Sequence, residues 1–275
     1  MVEMQNNSTV FTSSFTSWQE SVDRLLDAAG LVNRLASAKK VIIKPNLVEP
    51  QKPPITTPVE LVAVLVDYIL SSLPDLEIII AEGCGSASKN TWQVFEFLGY
   101  TKLTALDRVT LMDLNDAPLV HMKNNNCRRW PEMYLPKIVF ESFLISVPVL
   151  KAHSLAGVTL SMKNMIGLAP PAHFQQGGHW KKASFHTGIQ EAVFDLNRYR
   201  IPDFTLLDAT IGMQEAHLWG PVCDPPPNRL AAGFDPVAID SYGCRLLGIQ
   251  WDSIGHLSMA HGTLGTAVPL TVSEV

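Results

Sequence analysis

The chain lacks any pair of cysteines spaced C-x-x-C; its four, Cys84, Cys127, Cys223 and Cys244, stand far apart. That spacing fits neither a zinc ribbon nor a ferredoxin-type cluster, and it suits reduced core thiols in the cytosol better than a disulfide framework. Basic residues are not in excess either: 21 Lys and Arg against 26 Asp and Glu leave a formal charge of -5, without the field that duplex nucleic acid demands. Long apolar runs are missing as well. The most apolar long stretch, residues 59–70, is shorter than a bilayer span and contains Glu60 and Asp67, and the chain does not open on a basic segment followed by an apolar one. No phosphate-loop spacing occurs, and Gly83-x-Gly85 lacks the third glycine of a dinucleotide fingerprint. These absences predict a cytoplasmic protein with neither a nucleic-acid nor a membrane partner.

What is present is a chain of 275 residues, 47% of them hydrophobic, enough to bury one large core. Ser17 and Glu20 form a capping box for a first helix that Gly30 closes, and Thr57-Pro58-Val59-Glu60 opens another that Pro74 prevents from continuing. Between them Val41-Ile42-Ile43 reads as a strand buried on both faces, and residues 77–81 as the next. Strand, polar loop, helix and strand is the rhythm of βαβ units, whose ligands sit outside the carboxyl ends of the strands. The expected fold is α/β, a mostly parallel central sheet with helices on both faces and a small strand-rich insertion. Residues 1–16 are expected to be a flexible N-terminus and 17–275 a single domain. Within it lie a strand-rich subdomain over 109–137 and a lid-like loop over 168–183, where Gly177-Gly178 and exposed aromatics such as Phe174 and Trp180 suit a mobile flap.

Four strand ends present Lys44 with Asn46, Glu82, Lys151 with His153, and Asp208, a concentration of polar groups at one edge of an apolar sheet. Each has a structural reading alone, but buried charges cost several kcal/mol unless paired or bound to something. The densest run is Lys151-Ala152-His153-Ser154-Leu155-Ala156-Gly157-Val158-Thr159-Leu160-Ser161-Met162-Lys163-Asn164. In it Lys151 and Lys163 could hold a phosphate or carboxylate, Ser154 could complete an anion nest, and Gly157 lets backbone approach a ligand. His153, or a lysine of lowered pKa, could move a proton. Glu215 follows Asp208 through Gly212, so the two carboxylates could meet and one could serve as acid or base. Asp235 reads as an N-cap, and Asp240, just over one turn into the helix that follows, could face solvent or site. A metal held by His173, His179 and His186 with His153, Glu82 or Asp208 is an alternative, but two glycines precede His179 and the paired-ligand spacing of a helix is absent; no metal ligand is assigned.

That run, taken with Ile43-Lys44-Pro45-Asn46-Leu47-Val48, Thr56-Thr57-Pro58, residues 202–212 and Gly233-Phe234-Asp235-Pro236-Val237-Ala238-Ile239-Asp240, resembles the domain of unknown function 362 family over roughly residues 41–265. The resemblance implies the fold and the positions of the motifs. Some longer relatives carry ferredoxin-like cysteine repeats and are labelled iron–sulfur proteins. That label implies an iron–sulfur or redox protein as a partner, while this chain has no cluster motif of its own.

The expected function is an enzyme for a small anionic metabolite, with isomerase, lyase or transferase chemistry. Lys151, His153, Lys163, Asp208 and Glu215 are its catalytic candidates. Lys44, Asn46, Thr56, Glu82, Gly83, Ser154, Gly157, Asn164, Asp235 and Asp240 are its ligand-binding candidates, and the cofactor is unassigned. The alternatives are a redox or metal-trafficking accessory working beside an iron–sulfur partner, and a non-catalytic module for an anionic ligand.

Overall fold

The computed structural model of the protein describes residues 8–275. In chain order its elements begin with β1 (Thr9–Ser14), α1 (Trp18–Ala29), α2 (Leu31–Leu35), β2 (Lys40–Pro45), α3 (Val59–Ser72) and β3 (Glu77–Glu82). The Ser17 side chain accepts a hydrogen bond from the Glu20 backbone at the start of α1, and Gly30, at φ 68, ends the helix in the left-handed region. Pro58 is the N-cap of α3 and not its first helical residue. The hydroxyl of Thr57 therefore caps nothing; it donates to Val147 O at 2.6 Å and accepts from Asn46 N at 2.8 Å, tying two strand ends together.

Next come α4 (Thr91–Phe97), β4 (Val109–Asp113), β5 (Leu119–Lys123) and β6 (Glu132–Pro136). Within the 109–137 stretch, β4 lies parallel to β3 at the edge of the main sheet, while β5 and β6 form a separate antiparallel hairpin. The chain continues through β7 (Phe143–Val147), β8 (Val149–His153), β9 (Gly157–Thr159), α5 (Ser161–Asn164), α6 (Pro171–Phe174), α7 (Ile189–Tyr199), β10 (Phe204–Met213), β11 (Arg229–Gly233), α8 (Pro236–Leu246), α9 (Gly255–Ala260) and β12 (Thr271–Glu274).

The main sheet runs in the order β12-β1-β11-β10-β7-β2-β3-β4, with β8 branching onto β10 and β9. From β10 through β7, β2 and β3 to β4 the pairs are parallel. Val41 and Ile43 of β2 pack against α1 and α3, while Ile42 enters the opposite cluster beside α7. Leu206 and Leu207 of β10 divide between the two faces in the same way. Helices cover both faces, which is why these strands are continuously apolar.

The expectation of a flexible stretch over 1–16 is corrected by β1. Residues 1–7 lie outside the described residues, but Thr9–Ser14 form a strand, antiparallel to β11 and parallel to β12, with Val10 fully buried. Among the described residues no helix is long and apolar enough to cross a membrane.

Candidate functional site

The site stands at the carboxyl ends of β2, β3 and β7–β8. β2 lies between β3 and β7, so the chain segments leaving β2 and β3 emerge side by side, and Gly85 N donates to Val48 O at 3.2 Å. Its floor is a buried ion pair. Lys44 Nζ donates to Glu82 Oε2 at 2.9 Å, to Asn164 Oδ1 at 3.0 Å and to Pro45 O at 3.1 Å. Glu82 also accepts from Leu47 N at 3.0 Å and Gly83 N at 2.8 Å. Burial draws the Lys44 ammonium below its usual range, and Glu82 opposes that shift. Asn164 closes the knot: its amide donates to Lys44 O and Ser146 Oγ, and its carbonyl also accepts from Asn46 Nδ2 at 3.1 Å. Gly167 packs on this pair so closely that a Cβ there would overlap Glu82 Oε1 and come 2.7 Å from Lys44 Nζ, and one on Gly83 would strike Gly167 O. Lys44, Glu82 and Asn164 are thus satisfied by one another.

Above this floor several polar groups are not satisfied. Pro148 separates β7 from β8, and β8 turns back through Gly157, at φ 78, into β9. The hairpin pairs Lys151 with Thr159 and His153 with Gly157, so alternation along β8 puts Lys151, His153 and Thr159 on one face. One short helix further on, α5 carries Lys163. Lys151 Nζ donates to Ile55 O at 2.6 Å. Among the described residues no hydrogen-bond acceptor reaches Lys163 Nζ, and burial lowers its pKa to about 7. Lys182, reaching in from the 168–183 segment, donates to Asn115 Oδ1 and Ala169 O and is also lowered to about 7 by burial. Burial, with Lys163 close by, holds Lys151 well below the usual lysine range.

A chamber of about 70 Å³ lies among these groups, lined by Asn46, Lys151, Thr159, Lys163, Lys182 and His217 together with Glu82 and Gly83. Asn46 Oδ1, Thr159 Oγ1 and His217 Nδ1, all on its wall, are buried without a hydrogen-bond partner. Buried polar atoms are rarely left so, and several of them on residues around one small space make it a candidate site for water or a bound polar group. A wider chamber of about 380 Å³ adjoins it, sharing Lys163, Lys182 and His217 and adding His153, Ser154 and His186. His153 stacks on His217 with ring centroids 3.9 Å apart. His153 Nδ1 accepts from both Leu155 N and Ala156 N at 3.1 Å, which assigns its proton to Nε2. Burial, followed by the nearby lysines, pushes His153 far below its ordinary pKa and His217 down to about 3. Both imidazoles are neutral at physiological pH.

Several sequence candidates stand apart from this site. Asp208 spends Oδ1 on Thr210 N and Oγ1 at 2.9 and 2.7 Å, beside the irregularity where β10 shifts register against β8. Glu215 is exposed, and neither chamber includes Asp208 or Glu215, so the proposed pairing of carboxylates is not formed. Asp235 caps α8 through Val237 N and Ala238 N and also binds Thr266 N. Asp240 accepts from Ser161 N at 2.7 Å and Met162 N at 2.9 Å, holding the start of α5. Thr56 donates to Gln51 O, and Gly157 packs against Ile254.

The 168–183 segment is docked over the chambers. Phe174, expected to be exposed, is 2% exposed, because it stacks with Trp130 and Phe185 in the core cluster beneath the β5–β6 hairpin. Lys181 N donates to Gly85 O at 3.2 Å and Lys181 Nζ to Ser86 O at 2.6 Å, fastening the segment to the loop after β3. Trp180 is 41% exposed at the wider chamber. Among the described residues no group of three or more His, Cys, Asp or Glu stands where it could hold a metal ion.

Sequence reasoning missed Thr159, Lys182 and His217. Strand alternation could have found Thr159, the register partner of Lys151. Lys182 and His217 arrive from loops, where no periodicity signals orientation.

The chain belongs to the family described as Domain of unknown function (DUF362), which it matches over residues 41–245. Among curated proteins none matches its sequence. Among solved structures it is similar to the lactate racemase apoprotein from Thermoanaerobacterium thermosaccharolyticum, with a TM-score of 0.55 and 15% sequence identity. That likeness covers 88% of this chain and 58% of the other, so this chain spans less than two thirds of the racemase, and what is shared is the fold.

Proposed function

For this member of the family, we propose an enzyme that binds a small carboxylate in the inner chamber and moves a proton on its carbon skeleton. One observation carries the reading: Lys163, half-buried and without an acceptor, lines a chamber whose wall residues Asn46, Thr159 and His217 also carry unpartnered polar atoms. A carboxylate would supply an acceptor for Lys163 and for the Thr159 hydroxyl, with Lys151 and Lys182 in the same wall as further donors, and a hydroxyl on the neighbouring carbon could donate to Asn46 Oδ1. The fold shared with a lactate racemase apoprotein supports carboxylates over phosphates as first probes.

The chemistry follows from protonation states. With a pKa of about 7, Lys163 is divided between amine and ammonium near neutrality, which suits a group that accepts a proton and returns it. In the share of complexes where Lys163 is the amine and Lys151 and Lys182 hold the carboxylate, the proton leaves a carbon next to the carboxylate for Lys163 and is returned to a neighbouring carbon. The net change is isomerisation, and no electron acceptor is consumed. His153, neutral and protonated at Nε2, can donate a hydrogen bond to an oxygen of the substrate but is too weak a base to compete for the proton.

A panel of 2-hydroxy and 2-oxo carboxylates incubated with the protein in deuterated water, followed by proton NMR, tests this. Loss of a carbon-bound proton signal with the wild type and not with Lys163→Met is the expected result. Saturable binding without exchange by any member of the panel would favour the non-catalytic binding module, and no binding at all would refute the site.

A further inference from the structure

The wider chamber has a character that the inner one lacks. Besides the shared lysines and His217, and His153, Ser154 and His186 on one part of it, its wall adds Leu155, Trp180, Leu218 and Trp219 to the Val48 and Ile166 that it shares with the inner chamber. Three of these are poorly covered by the protein itself, Trp219 at 78% exposed, Leu155 at 57% and Trp180 at 41%. Single exposed hydrophobic residues need no explanation, but two tryptophans and a leucine around one concavity that opens onto a buried cationic chamber form a patch with a direction. The two chambers meet at Lys163, Lys182 and His217, so a ligand whose charged end lies among the lysines can extend into the apolar space.

Volume separates the alternatives. The inner chamber, about 70 Å³, has room for a carboxylate and one or two attached atoms, while the outer one, about 380 Å³, falls in the range of pockets that enclose drug-sized bodies. A ligand no larger than lactate would fill the first and leave the second wet, with its apolar wall still in water. Resting on the carboxylate reading above, we infer that the substrate is an amphiphilic carboxylate, its anionic head in the inner chamber and a flat or extended apolar body against Trp180 and Trp219. Selectivity then divides spatially: Lys163 and its neighbours require the negative charge, and the tryptophans require the body. Trp180 sits on the docked 168–183 segment and Trp219 on the loop between β10 and β11, so the body would be gripped from two loops on a rigid sheet.

Calorimetric titration of the full chain with acetate, hexanoate, phenylacetate and phenylacetamide tests the inference. Phenylacetate and hexanoate are expected to bind at least tenfold more tightly than acetate, and phenylacetamide, which lacks the charge, at least tenfold more weakly than phenylacetate. In Trp180→Ala and Trp219→Ala, both substitutions at exposed positions, the ratio of phenylacetate to acetate affinity is expected to fall several-fold. If acetate binds as well as phenylacetate, or if the ratio survives both substitutions, the apolar body has no seat here and the inference falls while the carboxylate site stands. Equal binding of phenylacetate and phenylacetamide would overturn both, as would failure of every carboxylate to bind. Loss of the preference only in a variant outside the outer chamber would point to an apolar surface elsewhere and overturn it as well.

Discussion

Anion affinity at the inner chamber is expected to fall with rising pH, over a window set by Lys163. Burial places that lysine at about 7, and a bound carboxylate, by supplying an opposite charge, stabilises the ammonium and raises it. Binding therefore takes up a proton above pH 7. The charged fraction of a group with a pKa of about 7 drops from roughly nine-tenths at pH 6 to roughly one-tenth at pH 8, so the dissociation constant should rise about tenfold, about 1.4 kcal/mol. Lys182 titrates in the same range but is already bound by Asn115 and Ala169 O, so it steepens the dependence less than Lys163 does. His217, at about 3, is neutral throughout the window and adds nothing to the slope. Titrating acetate or phenylacetate between pH 6 and 8 in buffers of different ionisation enthalpy reads both affinity and proton uptake. An affinity independent of pH, or one that rises with it, would refute the assignment of Lys163 as the anion's partner.

The same lysine should weigh on stability. Its folded pKa lies below the unfolded 10.5, so the unfolded chain binds more protons between about pH 7 and 10.5 and stability rises with pH across that window. Lys163→Met, which keeps the apolar stem, should stabilise the ligand-free protein by about 1–3 kcal/mol at pH 6 and by less at pH 10, as urea unfolding would report. Gly167→Ala should destabilise by about 2–4 kcal/mol, since its Cβ would force apart the Lys44–Glu82 pair; a thermal midpoint equal to wild type would contradict the close packing there. Nitrogen-15 NMR of the imidazoles should show His153 and His217 neutral at pH 6, with His153 protonated at Nε2, and an imidazolium signal from either at that pH would contradict the burial argument.

The sheet was legible because its central strands are apolar on both faces: Val41-Ile42-Ile43 could be placed at the centre with no knowledge of its partners. β1 was not legible. Its strand is six residues near the start of the chain, and the antiparallel neighbour that stabilises it, β11, comes more than 200 residues later. At the site, the residues at strand ends were found because a strand's end fixes where its last side chains point, as with Lys44, Glu82 and Lys151. Asp208 fails by the same logic, since a bulge in β10 bends that strand's end and Thr210 occupies the carboxylate. Phe174 was misplaced for a different reason. A loop composition rich in glycine and histidine suggests exposure, whereas packing against Trp130 and Phe185 depends on a hairpin about 40 residues upstream.

The lysines divide by partnership, and so do the carboxylates. Asp240 reaches from α8 to hold the first two N–H groups of α5, the four-residue helix that carries Lys163 into the chamber and Asn164 onto the Lys44–Glu82 pair. Burial outweighs those two hydrogen bonds and raises its pKa to about 8. A carboxyl that keeps its proton in the folded chain up to about 8, and loses it at 3.8 when unfolded, contributes stability that is fully present below pH 3.8 and is lost as pH rises towards 8. Asp240→Asn cannot ionise, so that part of the pH slope should vanish. One of its two contacts would also be replaced by an amide N–H facing a backbone N–H, for a loss of about 1–3 kcal/mol. Because α5 positions Lys163, acetate affinity should fall in this variant even though Asp240 lines neither chamber. Chemical unfolding between pH 4 and 8 and calorimetry at pH 7 separate the two effects. A variant with wild-type affinity and an unchanged pH slope would show that α5 holds its place without Asp240, and the orientation of Lys163 would then have to come from the β8–β9 hairpin alone.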